Sequence, residues 1–256
     1  NNNMKNKRFF LAIDQGTTST RSIIFNEKFK VLVTKRIQNK EFYPEPGWVE
    51  QDPNEILEAV INSINLSLDK INISFSEITC IGITNQRESI VCWDSITGKS
   101  LYNSISWQCL RGDTLCQKIR DTDFENYVNN VTGLKVDPYF SSTKISWILK
   151  NSPDVKKALK NDRLKVGTID SWLMFNLLNN NPHLTDLSNA SRTGLLNTKT
   201  LNWDKRILSY FDIPVKILPK IVPSNYNFGT TNKKILGSEV PITAVLGDQN
   251  MKEFFY

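Results

Sequence analysis

Phe9-Phe-Leu-Ala-Ile-Asp-Gln-Gly-Thr-Thr-Ser-Thr-Arg21 is a short apolar run that ends in an acid, a glycine and a row of hydroxyls. The unbroken apolar stretch reads as a buried strand, and the Gly-Thr-Thr that follows reads as its turn. Working outward, Arg21 to Phe25 and Lys30 to Ile37 are further strand-like runs, with Asn26-Glu-Lys28 as the turn between them. Three strands joined by tight turns form a meander, so the opening of the sheet is expected to be largely antiparallel.

Asp52-Pro53 then opens a helix. Asp52 can cap it, and Pro53 suits a first helical position, where a missing N–H is no loss. Ile56, Leu57, Val60, Ile61, Ile64, Leu68 and Ile71 recur every three or four residues and form one apolar stripe. Ile78 to Thr84 and Ser89 to Trp93 read as strands. Amphipathic helices are expected over Asp113 to Tyr127, Thr143 to Leu149 and Ser171 to Leu178. Meander followed by helix–strand alternation predicts one α/β domain with a mixed sheet and flanking helices, with a subdomain inserted after residue 100.

Composition excludes several functions. At 256 residues the chain can bury a full core, and 39% hydrophobic with 23% charged residues is ordinary for a soluble globular protein. No run approaches the ~18 apolar residues of a membrane span. The basic N-terminus (Lys5, Lys7, Arg8) leads into an apolar stretch cut short by Asp14, too brief for a signal-peptide core. The expectation is a cytoplasmic protein with no membrane insertion. Cys80, Cys92, Cys109 and Cys116 form no C-x-x-C pair and the sole histidine is His183, which argues against zinc and against a Cys–His catalytic pair. The thiols are expected to be reduced and mostly buried, and His183, in a polar loop, exposed. The net charge of +6 comes from lysines scattered along the chain, without a basic stripe interleaved with aromatics, so no nucleic-acid partner is expected.

Three segments carry candidate chemistry. Asp14 to Arg21 can present backbone N–H groups, hydroxyls and a guanidinium to an anion, with a carboxylate for Mg²⁺; it reads equally as a plain β-hairpin. Thr84-Asn-Gln-Arg-Glu88 can hold neighbouring hydroxyls, or can be an exposed ion pair at a strand turn. Gly247-Asp-Gln249 ends a second buried strand, where an acid and an amide can hold and deprotonate a hydroxyl, or simply cap a helix.

These segments share one chain, in one order, with Phe42-Tyr-Pro-Glu-Pro-Gly-Trp-Val-Glu-Gln-Asp-Pro53, Asp137-Pro-Tyr-Phe-Ser141, Gly167-Thr-Ile-Asp-Ser-Trp172 and Asn189-Ala-Ser-Arg-Thr193. Together they resemble the glycerol kinases of the FGGY carbohydrate kinase family, from about Phe9 to Gln249. The pairing of Asn-Gln-Arg-Glu with Gly-Trp-Val-Glu favours them over xylulose or ribulose kinases.

The resemblance implies a ribonuclease-H-like domain of the actin, hexokinase and Hsp70 type. It implies ATP and Mg²⁺, with Thr17, Thr18, Ser19 and Arg21 contacting nucleotide phosphates and Asp14 helping to hold the metal. It implies glycerol held by Arg87, Glu88, Tyr139, Asp248 and Gln249 against an apolar wall at Trp107. Asp248 would accept the hydroxyl proton during attack on the γ-phosphorus. Trp48 and Trp172 read as packing residues, Asn189 to Thr193 as a turn, and Gly229-Thr-Thr231 as a hairpin turn without a preceding acid.

The resemblance also implies departures. Relatives are roughly twice as long, and the second phosphate loop and adenine pocket lie in their C-terminal half. On this reading residues 1–8 are a disordered tail, 9–249 the kinase N-terminal domain, and Asn250 to Tyr256 a divergent stub, with the ATP-side domain missing. Gly112 stands where relatives usually carry Thr. The competing expectation is a non-catalytic glycerol-binding half or regulatory fragment; another is a kinase for a different small polyol or sugar. Homo-oligomerisation is left open.

Overall fold

A computed structural model describes residues 7–248. Residues 1–6, Gln249 and the stub expected over 250–256 lie outside the described residues.

The meander forms as read: β1 (Phe9–Gln15), β2 (Ser19–Phe25) and β3 (Val31–Gln38) pair antiparallel in sequence. After β4 (Glu50–Gln51), α1 (Pro53–Ile71) starts where Asp52 accepts the Asn54 N–H through its side chain, and its buried face runs Ile56, Val60, Ile64, Leu68. Asn72, at φ 54°, ends it in a left-handed cap. Next come β5 (Ile78–Asn85), β6 (Ile90–Asp94) and β7 (Ser104–Ile105).

The single helix expected over 113–127 is two, α2 (Asp113–Ile119) and α3 (Asp123–Thr132). Asp121 takes φ 63° and the Thr122 side chain caps the second helix by accepting the Glu125 N–H, so the chain breaks and restarts. Then follow α4 (Ser141–Asn151), α5 (Pro153–Lys160) behind a Ser152 cap, and β8 (Leu164–Thr168). Helix α6 (Ile169–Leu177) is buried on nearly every side rather than amphipathic. The remainder is β9 (Leu184–Asp186), α7 (Leu187–Ala190), the short pair β10 (Leu196–Asn197) and β11 (Asn202–Trp203), α8 (Lys205–Tyr210), β12 (Lys220–Val222), β13 (Asn225–Thr230), α9 (Lys233–Leu236) and β14 (Pro241–Gly247). Gly229 and Thr230 therefore end a strand; they are not the hairpin turn expected there.

The main sheet has the order β13-β14-β5-β1-β2-β3, with β1, β5 and β14 mutually parallel and the outer pairs antiparallel. Gln15, Asn85 and Gly247 are register partners at the ends of the three parallel strands. The loops leaving β1, β5 and β14 thus emerge side by side, at the carboxyl end where open α/β sheets bind ligands. A second, antiparallel sheet, β4-β7-β6-β8, has its own core around Ile90, Ile105, Ile145, Val166 and Leu195. It takes strands from residue 50 onward, so the second packing unit is woven through the chain rather than inserted after residue 100. Gln86 to Ser89 bridges the two sheets.

Trp48 and Trp172 pack as expected. The Arg111 guanidinium lies 4.0 Å from the Trp48 ring centre and 4.6 Å from that of Trp147, and it also binds Glu50. Trp172 fills the main core edge-on to Trp93 and donates Nε1–H to Pro53 O at 2.9 Å. All four cysteines are free thiols, three of them buried.

His183 is not the exposed residue expected from its polar loop. It stacks edge-on against Trp93 at 5.3 Å, with Nε2 2.9 Å from Val166 O, and burial lowers its pKa from 6.5 to about 4. The unfolded chain takes up this proton as pH falls through 6.5, whereas the native chain resists until about 4. Stability is therefore lost across that window, by about 3 kcal/mol. Asp170, whose carboxyl is pushed up to about 7 by burial and by Asp186, acts in the opposite sense. The quantity to read is the difference between wild type and His183→Gln in urea melts at pH 7, 5.5 and 4. The variant should lose less stability on acidification, and parallel pH profiles would disprove the assignment.

Candidate functional site

The three loops at the carboxyl end of β1, β5 and β14 border a cleft lined by Thr17, Gln86, Arg87, Glu88, Trp107, Tyr139 and Asp248. Six residues singled out from sequence thus meet in one place. Gln249 lies outside the described residues.

The β1–β2 hairpin is held from below. Gly16 N–H donates to Ser19 O at 2.9 Å, closing the turn. Asn39 Nδ2 donates to Gly16 O at 2.8 Å and Gln51 Nε2 to Thr17 O at 2.8 Å. Gln86 Nε2 in turn donates to Gln51 Oε1 at 2.9 Å, which couples hairpin to cleft floor. Thr18 is exposed at the tip and Ser19 begins β2. Arg21 faces Asp14 across the ladder and donates both Nε and a terminal nitrogen to its Oδ2, so these two form an ion pair beside the cleft.

Glu88 decides between the alternatives for its segment: it is 2% exposed, far from a surface ion pair. Its φ is 68°, and Ser89 N–H returns to Arg87 O at 2.8 Å across it. A three-residue turn of this kind is strained for a non-glycine residue and persists only when its surroundings enforce it. The enforcing contacts are Ser141 Oγ donating to Glu88 O at 2.8 Å and Arg192 Nε donating to Oε1 at 2.8 Å; Arg87 Nε stands 4.0 Å away. Burial raises the Glu88 pKa, and Arg192, Arg87 and Lys144 partly offset it.

Trp107 and Tyr139 form the opposite wall, ring centres 5.3 Å apart. Trp107 was expected to be purely apolar, but its Nε1–H also donates to Thr17 Oγ1 at 2.8 Å and ties the wall to the hairpin. The Tyr139 phenol pKa is raised by burial and by Glu88.

Asp248 follows β14 and donates its backbone N–H to Asn85 O at 2.6 Å. Burial raises its carboxyl pKa, Asp14 raises it further, and Arg87 and Arg21 pull it down. Beneath it, Ser188 Oγ donates to Asp186 Oδ2 at 2.5 Å and accepts the Gly247 N–H at 2.7 Å. Asn189 and Asn85 exchange amide hydrogen bonds at 2.9 and 3.0 Å. A Cβ on Gly247 would lie 2.4 Å from Arg87 Cδ, so the Arg87 stem occupies the space a side chain there would need.

Sequence reasoning missed Arg192, read as part of a turn. It binds Glu88, 104 positions away, and lies over the Tyr139 and Phe140 rings at 5.5 and 4.9 Å. The signal available was an arginine inside a segment otherwise made of small polar residues.

Parallel central strands delivering a hydroxyl-rich hairpin, a buried Arg–Glu corner and a carboxylate to one sheet end define a kinase domain of the ribonuclease-H-like, actin and hexokinase type. The chain belongs to the FGGY family of carbohydrate kinases, whose N-terminal domain it matches over residues 9–254. It is 43% identical to a glycerol kinase of Symbiobacterium thermophilum over 249 residues, 97% of this chain and 50% of that protein. It is 47% identical to a glycerol kinase of Francisella philomiragia over 253 residues, again 97% of this chain and 50% of that protein. Among solved structures, Plasmodium falciparum glycerol kinase with ADP superposes with a TM-score of 0.89 at 34% identity, covering 95% of this chain and 49% of that one. Gluconate kinase from Lactobacillus acidophilus gives 0.83 at 27% identity, covering 94% and 48%. The chain spans about half the length of the curated relatives it matches. Among the described residues no helix is long and apolar enough to cross a membrane.

Proposed function

We propose that this chain is the substrate-side half of an ATP-dependent glycerol kinase, transferring the γ-phosphoryl group to a primary hydroxyl. The observation that carries the proposal is the cleft, which puts a carboxylate of raised proton affinity, Asp248, beside the Arg87–Glu88 corner and opposite the Gly16–Ser19 hairpin. Arg87 donates and Glu88 accepts, so adjacent hydroxyls of a polyol find complementary partners. Trp107 and Tyr139 cover the carbon face. One hydroxyl is then left toward Asp248, which orients it and takes its proton as the oxygen attacks. Thr17, Thr18 and Ser19, with the amides of their turn, receive the phosphate oxygens. The relatives named as glycerol kinases, one solved with ADP, support glycerol and a nucleotide as the ligands.

The residues present fit Mg²⁺, which commonly takes one or two protein carboxylates and completes its shell with phosphate and water. Asp14 and Asp248 are close enough for the charge of one to raise the pKa of the other. Asp14 would hold the ion, which when bound supplies neutralising charge to the phosphates.

Calorimetric titration tests the ligand. Glycerol should bind the 256-residue chain and xylulose should not, and Glu88→Ala should weaken glycerol at least tenfold, because a buried acceptor and its turn are lost together. Equal affinity for xylulose would sink the glycerol assignment. ADP release from ATP in the presence of glycerol tests the reaction.

A further inference from the structure

Lys144 is a fully buried cation that the proposed chemistry does not use. It stands in the first turn of α4 and reaches back along the chain. Its Nζ donates to three consecutive carbonyls, those of Pro138, Tyr139 at 2.9 Å and Phe140 at 3.2 Å. Among the described residues no carboxylate forms an ion pair with it. A buried charge whose hydrogen bonds all go to carbonyls is costly, and stability alone does not account for it, since an apolar side chain would fill the same space more cheaply. The carbonyls it gathers belong to one turn, and that turn carries or contacts several residues of the cleft. Tyr139 forms the wall with Trp107. Phe140 lies under the Arg192 guanidinium at 4.9 Å, and Ser141 holds the carbonyl of the strained Glu88.

We infer that Lys144 is a positioning residue: its ammonium locks the Pro138–Phe140 turn and so sets Tyr139, Arg192 and Glu88 around the bound polyol. The ammonium has three N–H groups for three carbonyls. The neutral amine has only two and presents a lone pair to the third, so loss of the proton must loosen the turn. Burial lowers the Lys144 pKa to about 8, which brings that event within reach of an ordinary pH titration. The polyol enters only as the ligand of the reading above; the lock on Tyr139 stands without it.

The test follows the ring signal of Tyr139 by NMR in the tyrosine-labelled chain, assigned by its disappearance in Tyr139→Phe. In wild type the neighbouring Trp107 and Phe140 rings displace it from the position of an exposed tyrosine. In Lys144→Met, which keeps length and apolar volume but has no N–H, the signal should collapse toward that position, while the thermal melt stays cooperative. An unmoved signal in folded Lys144→Met overturns the inference. A second arm needs no variant at residue 144: in wild type the signal should shift between pH 7 and 9.5 with a midpoint near 8, and a flat profile overturns the inference even if the variant does not fold.

Cys109, Glu88, Cys116 and Asp137 face the ammonium. Burial pushes the Cys116 thiol up to about 11, and the Tyr139 phenol also titrates above its usual range. Cys109→Ser and Asp137→Asn must therefore keep the transition; its loss in either would assign it to that group instead of Lys144. Glycerol affinity, by calorimetry, should fall at least tenfold in Lys144→Met. If wild type takes up no glycerol, the polyol reading fails and the tyrosine signal alone decides the role of Lys144.

Discussion

Asp248→Asn should lower glycerol phosphorylation roughly 10³-fold, the range expected for loss of a positioned general base. The amide keeps an oxygen that can accept from the substrate hydroxyl, so glycerol affinity should change by less than about fivefold. The comparison is made in whichever form turns over, either the 256-residue chain alone or the chain mixed with the C-terminal half of a glycerol kinase relative. The separation of turnover from binding is specific to Asp248. Its backbone is pinned by Asn85 and by the Ser188–Gly247 contact, so the substitution should leave the surrounding loop in place. The rate profile carries a second signature. Because burial and Asp14 raise the Asp248 pKa, the acidic limb of the wild-type profile should lie above the ordinary carboxylate range, with activity lost as pH falls through it. That limb should vanish in the Asn variant. Turnover within tenfold of wild type would remove Asp248 from the role of base.

The largest effect on stability is expected at Glu50 and Arg111. Both are nearly inaccessible, at 4% and 6% exposure, and the guanidinium is held between Trp48 and Trp147 while it binds the carboxylate. Breaking such a pair from one side strands a buried charge and costs about 3–5 kcal/mol. At about 2–4 °C per kcal/mol for a chain of this size, Glu50→Gln should lower Tm by roughly 10 °C. The double variant Glu50→Leu with Arg111→Met should recover part of that loss, since no charge is then left unpaired. A double variant less stable than both single ones would mean that the pair is worth more than its desolvation. This arrangement also explains why Gly47-Trp-Val-Glu50 reads as a motif without touching the cleft: it furnishes the acid and one face of an aromatic box around Arg111.

The parts of the fold legible in sequence are those written in local chemistry. The meander follows from short apolar runs and turn residues, and α1 from an Asp52–Pro53 cap with a regular apolar stripe. The second sheet was not legible, because two of its strands, Glu50–Gln51 and Ser104–Ile105, are too short to show any alternation. The break between α2 and α3 had a readable sign, Thr122 followed three places later by Glu125, but the apolar pattern runs across it. For the cleft, the motifs supplied the residues and the register of three parallel strands brought them together. Arg192 could not be assigned, because its partner is set by tertiary packing across 104 positions. His183 was misjudged for the same reason: it follows the polar run Asn179 to Asn181, but its neighbour in space is Trp93.

The bare Cα of Gly247 bears on how such a cleft can evolve. Arg87 belongs to the segment after β5 and Asp248 to the one after β14, yet the methylenes of the first rest against the residue preceding the second. Any side chain at 247 would meet the Arg87 arm and, through the same strand end, bear on the Asp248 carboxylate. On the function proposed above, substrate choice and chemistry form a single mutational target at this position. On the same reading, new specificities are expected from the far wall, at Trp107 and Tyr139, whose rings take no part in the Gly247–Arg87 contact.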